Sequence, residues 1–253
     1  YNGIHNVQYD EYRQQSIDKN PFNNRVIIVD EAHNLVSKIV NKLKMSAAKR
    51  KTQLSFKMYE DLMNAQNCKI VLLSGTPMIN YPNEVAILFN ILRGYIKTWS
   101  IPLVNEGTAQ LNTEKIREYL KDSPNANYIK YNANTKILEL TRNPFGFINN
   151  YSSDKYNGVV LNERGEINDK DFIMNVRAIL KPHKIKFDLR SSSFKNNKAL
   201  PDDLEEFKSK FFDFSKNRLK NSNILIKRIL GLTSYFRSAQ EQLMPTYDES
   251  KDL

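Results

Sequence analysis

The chain of 253 residues is long enough to bury a sizeable core, or about two domains by the usual relation between length and domain number. Its 38 basic and 28 acidic residues give a net charge of +10, which favours a polyanionic partner without identifying DNA. A single cysteine excludes an internal disulfide framework, 3 histidines leave no recognisable zinc set, and no apolar run approaches the roughly 18 residues of a membrane span.

The first predicted strand, Val26–Val29, follows a polar segment that ends in turn-forming residues. Its four apolar, mostly β-branched side chains predict a strand buried on both faces. Asp30 and Glu31 follow at its C-terminal end, where open α/β sheets place their ligand chemistry. An Asp there can hold Mg²⁺ through the water shell of the ion, and a Glu can deprotonate a water aimed at a γ-phosphate. The alternative is that both residues only cap the next helix.

A basic helix is predicted after His33, because apolar residues recur there at helical spacing up to Leu43. Between Ala32 and Tyr59 there are seven basic residues and no acidic one. Lys and Arg give sequence-independent affinity for a phosphate backbone, whereas a merely solvated face is the alternative for each of them. The candidate nucleic-acid contacts are Lys38, Lys42, Lys49, Arg50 and Lys51, with the first three expected on one flank of the helix.

A second strand is predicted at Lys69–Leu73, and it ends in a turn formed by Ser74, Gly75, Thr76 and Pro77. If the two strands are parallel, their C-terminal ends emerge at one edge of the sheet. Ser74 and Thr76 can then reach His33. Helices are predicted on either side, at 55–66 and at 82–92 with Gly94 as the stop, and Glu84 is expected to stabilise the start of the latter.

Residues 95–200 are rich in Asn and Tyr, and we interpret them as an α+β region. Strands are predicted at 136–141 and 184–189, a helix at 171–180, and a hairpin at 159–167 with its turn at 162–165. Aromatic and basic residues alternate here and could stack on single-stranded bases, although a small-domain core is the favoured interpretation. They are Tyr128, Lys130, Tyr131, Arg142, Phe145 and Phe147.

Residues from Leu200 onward predict a helical hairpin. Pro201 and two Asp residues favour a helix start, and Leu204, Phe207, Phe211 and Phe214 form its apolar stripe. A second helix is predicted from the apolar residues Leu225, Ile229, Leu232 and Phe236.

The pairing of Asp30-Glu31-Ala32-His33 with Ser74-Gly75-Thr76-Pro77 resembles the Walker B (DEAH box) and third motifs of superfamily 2 helicases and translocases. More narrowly, the chain resembles the Swi/Snf-type ATPases of nucleocytoplasmic large DNA viruses, whose poxvirus relatives include the early transcription factor small subunit and nucleoside triphosphatase I. The segments that carry this resemblance are Tyr1–Gly3, Asp30–Asn34, Leu72–Asn80, Pro82–Glu84 and Arg228–Phe236.

The resemblance implies an α/β fold: the C-terminal half of a RecA-like parallel-sheet lobe (1–97), an α+β insertion of unknown role (98–199), and a helical hairpin or hinge (200–253) leading to a second lobe. It implies ATP and Mg²⁺ as cofactors, Asp30 as the Mg²⁺ residue, Glu31 as the catalytic base, and a relay of the phosphate state through His33, Ser74, Gly75 and Thr76.

Duplex DNA is the expected partner, with a viral RNA polymerase or transcription-factor subunit, in the virion and the viral factory of the host cytoplasm. The 253 residues contain no Gly-x-x-x-x-Gly-Lys-Ser/Thr phosphate loop, which in the family lies upstream. Because Tyr1 is not an initiator and no signal peptide opens the chain, we expect a fragment of a longer protein. The resemblance implies that the missing phosphate loop and a second lobe with its arginine finger are needed for turnover, so we expect the fragment to be nearly inactive alone. A non-catalytic nucleic-acid-binding module and the motor part of a restriction or repair enzyme remain alternatives.

Overall fold

The N-terminal half of the chain contains two short parallel strands surrounded by helices. The computed structural model describes residues 6–16, 19–144, 146–152, 155–162 and 167–234. The elements of this half are α1 (Asn6–Gln15), β1 (Val26–Val29), α2 (Ala32–Leu43), α3 (Ala47–Lys51), α4 (Leu54–Asn64), β2 (Lys69–Leu72) and α5 (Glu84–Arg93). β1 pairs with β2 in parallel, with Val26 opposite Lys69 and Val29 opposite Leu72. The predicted strand, helix, strand order is therefore confirmed.

Only one face of this two-stranded sheet is covered by the described residues. Ile27, Ile70 and Leu72 contact the hydrophobic core formed by α2, α4 and α5. Val26 and Ile28 lie on the other face and are each 66% exposed, as is 41% of Val71. The prediction of a strand buried on both faces is wrong, because alternate side chains of a strand point to opposite faces and one face has no cover here.

Two further features of this half differ from the sequence-based prediction. α1 was not predicted, and it is anchored by Tyr9, whose hydroxyl donates to the buried carboxylate of Asp61 (3.0 Å), and by Arg13, which pairs with the same group (2.8 Å). The helix that carries Lys38 and Lys42 ends at Leu43, so Lys49 belongs to the separate helix α3. The three lysines therefore do not share one helix flank.

The middle of the chain forms an antiparallel sheet with its own hydrophobic core. Its elements are β3 (Ile96–Asn105), α6 (Thr113–Tyr119), β4 (Ala126–Asn132), β5 (Ile137–Arg142), β6 (Phe147–Ser152), β7 (Lys155–Leu161), α7 (Asp169–Leu180), β8 (Ile185–Phe187) and β9 (Ser193–Asn197). The strand order is β4-β5-β3-β8, and β9 pairs with the first half of β3. Trp99, Leu138, Phe172 and Val176 lie in the core between this sheet and the helices.

The predicted hairpin at 159–167 is wrong. Val159 pairs with Asn149 of β6, a strand that precedes it in the chain, and not with residues that follow it. The Asn and Gly residues at 162–165 were good turn formers locally, but the partner strand of β7 precedes it in the chain. Residues 163–165 of that predicted turn, together with Phe145, lie outside the described residues. The predicted helix at 171–180 and the strand at 184–189 are confirmed as α7 and β8.

The predicted helical hairpin is present but shorter and interrupted. α8 (Leu204–Phe211) and α9 (Ser222–Ile229) are joined by the two-residue strands β10 (Phe212–Asp213) and β11 (Arg218–Leu219). Phe214 is 72% exposed, because the helix ends before it and Asp213 accepts hydrogen bonds from the following turn. Phe207 and Phe211 are buried in the first core. Leu225 and Ile229 of α9 contact it, as does Leu232, which follows α9. Tyr235 and Phe236 lie outside the described residues.

None of the helices within the described ranges combines the length and the apolar character that crossing a bilayer requires.

Candidate functional site

The two carboxylates lie at the C-terminal end of β1, in a sharp turn between strand and helix. Leu73 donates a backbone hydrogen bond to Val29 (2.9 Å), and Ala32 donates one to Leu73 (2.9 Å), so the turn is held against the end of β2. Glu31 has a left-handed backbone (φ 48°, ψ 50°), and its N–H donates to Asp30 Oδ1 at 3.0 Å. This conformation is uncommon for a residue other than glycine and is concentrated at functional sites. Both side chains are exposed.

The histidine links the two strand ends. His33 Nδ1 lies 3.1 Å from Ser74 Oγ and 3.2 Å from Glu31 Oε2. Ser74 Oγ also accepts the backbone N–H of Thr76 at 3.2 Å. The structure thus joins Glu31, His33, Ser74 and Thr76 by direct contacts, while Gly75 leaves open space where a side chain would stand. Glu31 is therefore connected to the loop after β2 through His33 and Ser74.

Glu84 was missed as a site residue, since its place in the first turn of α5 suggested only favourable charge at a helix start. The side chain is 1% exposed. One carboxylate oxygen accepts the backbone N–H groups of Ile79 (2.6 Å) and Asn80 (3.0 Å), and the other accepts the hydroxyl of Ser37 (2.8 Å). Glu84 therefore fastens the loop that begins at Ser74 to α2 and α5.

The pKa of Glu84 reflects this set of donors. Burial alone raises the pKa of the carboxyl, but hydrogen bonds from backbone N–H groups and from Ser37 outweigh burial, so the pKa lies below the ordinary value. The sequence signal that could have found this residue is its position four residues after Asn80, beyond a Pro-containing turn. Such spacing allows the first helical carboxylate to reach back to the loop N–H groups.

The candidate basic residues divide into free and engaged side chains. Within the described part of the chain, the side chains of Lys38, Lys42, Lys49 and Lys51 have no hydrogen-bond or ion-pair partner. Arg50 differs from them, because its Nη1 donates to the carbonyl oxygen of Leu43 at 3.2 Å and its guanidinium lies 5.1 Å from the ring centre of Phe56. The four lysines are available to an external anion, whereas Arg50 also holds α3 in place.

The donor set suits a metal held largely by water and phosphate. The described residues contain no group of three His, Cys, Asp or Glu side chains that could ligate a metal together. Asp30 Oδ2 accepts no hydrogen bond from these residues, while Oδ1 is used by Glu31. Mg²⁺ commonly binds through one or two carboxylates and keeps several waters, so the exposed Asp30 fits this mode.

Comparison with known proteins gives partial matches to viral proteins. The chain is 38% identical over 66 residues to a protein described as an ATP-dependent RNA helicase of Acanthamoeba polyphaga mimivirus, which is 26% of this chain and 8% of that protein. It is 40% identical over 74 residues (29% and 10%) to the termination factor NPH-I homolog of African swine fever virus. It is 31% identical over 109 residues (43% and 16%) to nucleoside triphosphatase I of Choristoneura fumiferana entomopoxvirus.

These partial matches support a relationship to viral helicases and nucleoside triphosphatases. The match spans between 8% and 16% of the length of these three relatives. No family model and no solved structure matches the chain.

Proposed function

We propose that this chain is part of an ATP-dependent motor that hydrolyses ATP to move on duplex DNA during viral transcription. The observation that carries the proposal is the meeting of two strand ends: Asp30 and Glu31 after β1, and Ser74 and Thr76 after β2, joined through His33. Carboxylates at the C-terminal end of a parallel strand are suited to nucleotide chemistry. The relatives named as helicases and triphosphatases support the same interpretation.

Each residue has a proposed role at this edge. Glu31 accepts the proton of the attacking water, and Asp30 holds Mg²⁺ through its water shell. When bound, Mg²⁺ supplies positive charge that offsets the charge of the phosphates. His33, which contacts both Glu31 and Ser74, passes the change in phosphate state to the loop of Ser74, Gly75 and Thr76.

The 253 residues contain no phosphate loop, and we propose that the whole protein supplies one to complete the site. The chain alone is then nearly inactive. The division into a half lobe (1–97), an insertion (98–199) and a helical hairpin (200–253) is part of the same proposal. The separate core between Trp99 and Ile185 supports the insertion, whereas residues on both sides of that region, including Phe207 and Phe211, share the first core. A viral RNA polymerase or transcription-factor subunit is the proposed protein partner, in the virion and the viral factory.

ATP turnover by the whole protein tests the proposal, measured without nucleic acid and with duplex DNA, single-stranded DNA or RNA at equal phosphate concentration. We expect turnover that rises most with duplex DNA. Stimulation by RNA alone would contradict the DNA assignment, and the absence of turnover under all conditions would favour a non-catalytic nucleic-acid-binding module.

The four unpaired lysines give a second expected result. Replacing Lys38, Lys42, Lys49 and Lys51 with Gln should weaken DNA binding and reduce the slope of log K against log salt by about 0.9 for each phosphate that is no longer neutralised. The matched control replaces the exposed Lys121, Lys136, Lys170 and Lys181 of the middle region. Fluorescence anisotropy with a labelled duplex between 50 and 200 mM salt, roughly the range in which such slopes are measured, compares the two sets. Equal slopes for both sets would assign DNA contact elsewhere.

Ser74→Ala tests the proposed relay. The substitution removes the His33 contact and the acceptor of the Thr76 N–H, each a hydrogen bond of about 1 kcal/mol. We expect basal ATP turnover in the whole protein to change by less than about fivefold, while most of the stimulation by DNA is lost. Ser209→Ala in α8, which also removes one hydroxyl contact, is the control. Full stimulation in Ser74→Ala would exclude Ser74 from the relay.

A further inference from the structure

A second group of cations lies away from the carboxylate edge, where α9 meets α5 and the antiparallel sheet. Arg93 is the last residue of α5, and Lys227 and Arg228 are adjacent on α9. Lys227 Nζ donates to the carbonyl oxygen of Asn127 in β4 at 3.0 Å and lies 5.1 Å from the ring centre of Tyr156 in β7. Three basic side chains from two distant parts of the chain, α5 and α9, are therefore brought to one junction.

The two guanidinium groups are incompletely paired. Arg93 Nη2 donates to the carbonyl oxygen of Arg142 at 3.2 Å, but Nε and Nη1 of Arg93 are shielded from solvent without a hydrogen-bond partner among the described residues. The same holds for Nη1 of Arg228. Neither arginine forms an ion pair with a carboxylate of the described chain. A shielded N–H without an acceptor destabilises the folded chain, and the effect is larger when the group is charged.

The electrostatics of the junction agree with this geometry. Burial, and to a smaller extent repulsion from Arg228, lowers the pKa of Arg93 to about 9. Burial likewise lowers the pKa of Arg228 to about 10. The pKa of Lys227 is lowered by burial and by repulsion from Arg117 and Arg228. Like charges that oppose one another in a shielded place are stabilised by an anion.

A groove gives a ligand access to Arg228. It has a volume of about 430 Å³, within the range of small-ligand pockets, and lies between β3, β4, α8 and α9. Three basic side chains (Lys198, Lys210 and Arg228) and two acidic ones line it. Of the acids, Asp202 is already engaged by Lys198 and Tyr59, and Glu206 precedes Lys210 by one helical turn. Arg228 is thus the lining cation with a shielded donor that lacks an acceptor, while the side chain of Lys210 makes no hydrogen bond or ion pair with the described residues.

We propose that Arg228, supported by Arg93 and Lys227, forms an oxyanion site in this groove that binds a phosphate group. A guanidinium fork matches phosphate oxygens with two parallel hydrogen bonds, and a phosphate carries more charge than a carboxylate against several cations. The group comes either from a small phosphate or from a nucleic-acid backbone that enters the groove beside Tyr128. The site is independent of the proposed ATP hydrolysis, since it involves none of the residues at the carboxylate edge.

The test measures thermal unfolding of the full chain with inorganic phosphate, and separately with a single-stranded oligonucleotide, against chloride at matched ionic strength. At a ligand concentration about ten times the dissociation constant, we expect a rise in Tm of roughly 2–5 °C. Arg228→Met should abolish this rise and should leave the ligand-free Tm unchanged or higher, because an unpaired shielded charge is removed. Arg190→Met, which replaces an exposed arginine, should retain the rise.

If inorganic phosphate raises Tm and Arg228→Met abolishes the rise, a small phosphate is sufficient for binding. If only the oligonucleotide raises Tm and Arg228→Met abolishes that rise, the site binds the nucleic-acid backbone. Both support the site. Line broadening of the ³¹P resonance of inorganic phosphate by wild type and by Arg228→Lys provides a second measurement that does not depend on Tm. The proposal is overturned if neither ligand raises Tm, if Arg228→Met responds like wild type, or if Arg228→Met mainly lowers the ligand-free Tm.

Discussion

Glu31→Gln in the whole protein should slow ATP turnover by about 10²–10⁴-fold, the usual contribution of a general base. The amide keeps the size of the side chain but cannot take a proton from water at neutral pH. Because the side chain is exposed and contacts only His33 among the described residues, the substitution should leave the fold and nucleotide affinity nearly unchanged. Single-turnover kinetics and binding of a fluorescent nucleotide measure the two quantities separately.

The control for this experiment is Glu114→Gln, the same chemical change on the exposed face of α6. It should preserve turnover. Wild-type turnover in Glu31→Gln would remove Glu31 from its proposed role and leave Asp30 as the carboxylate to examine. Loss of turnover together with loss of nucleotide binding would show that Glu31 acts in binding and not as a base.

Glu84→Gln is expected to destabilise the folded chain by about 2–3 kcal/mol at pH 7. The carboxylate is 1% exposed and accepts three hydrogen bonds, from Ile79, Asn80 and Ser37. An amide replaces one acceptor oxygen with a donor, so at least one buried donor loses its partner, and hydrogen bonds to a charged acceptor are worth about 1.5–3 kcal/mol. Urea unfolding gives the free energy of unfolding directly.

The pH dependence of this effect has a definite sign. The pKa of Glu84 is lowered in the folded state, so its stabilisation is present above the unfolded pKa, near the ordinary value of 4.5. It is lost as the pH falls from that value through the folded pKa. The difference between wild type and Glu84→Gln should therefore shrink as the pH falls below the unfolded pKa.

The matched control is Glu60→Gln on the exposed side of α4, which should stay within about 0.5 kcal/mol of wild type. A Glu84→Gln variant as stable as this control would show that the carboxylate does not hold the loop. In the whole protein, a loosened loop after Ser74 should also lower DNA-stimulated turnover more than basal turnover.

The local pattern of residues determined much of the first region. Apolar spacing located α2, α4 and α5 to within a few residues, and β-branched runs located β1 and β2. These assignments succeeded because helical and strand periodicity are carried by neighbours in the chain. The adjacency of the carboxylates and the Ser-Gly-Thr-Pro turn followed from one further assumption, that the two strands are parallel, and β1 and β2 pair in this way.

Those local patterns did not predict which distant strands pair. β7 had an acceptable turn on its C-terminal side, yet it pairs with β6, because strand pairing depends on which faces meet in three dimensions. The ten-residue strand β3 was not predicted either, although it pairs with β5, β8 and β9. Each partner of β3 lies more than thirty residues away along the chain.

By itself the sequence determined which chemical groups stand at the ends of β1 and β2, and how much basic charge the chain carries. Only the tertiary structure decided that Glu84 fastens the loop of the site, that one face of the parallel pair is exposed, and that Arg93 and Arg228 share a junction. The reason is physical: the first set of properties belongs to residues and their neighbours, whereas burial, hydrogen-bond satisfaction and repulsion depend on segments that meet only after folding.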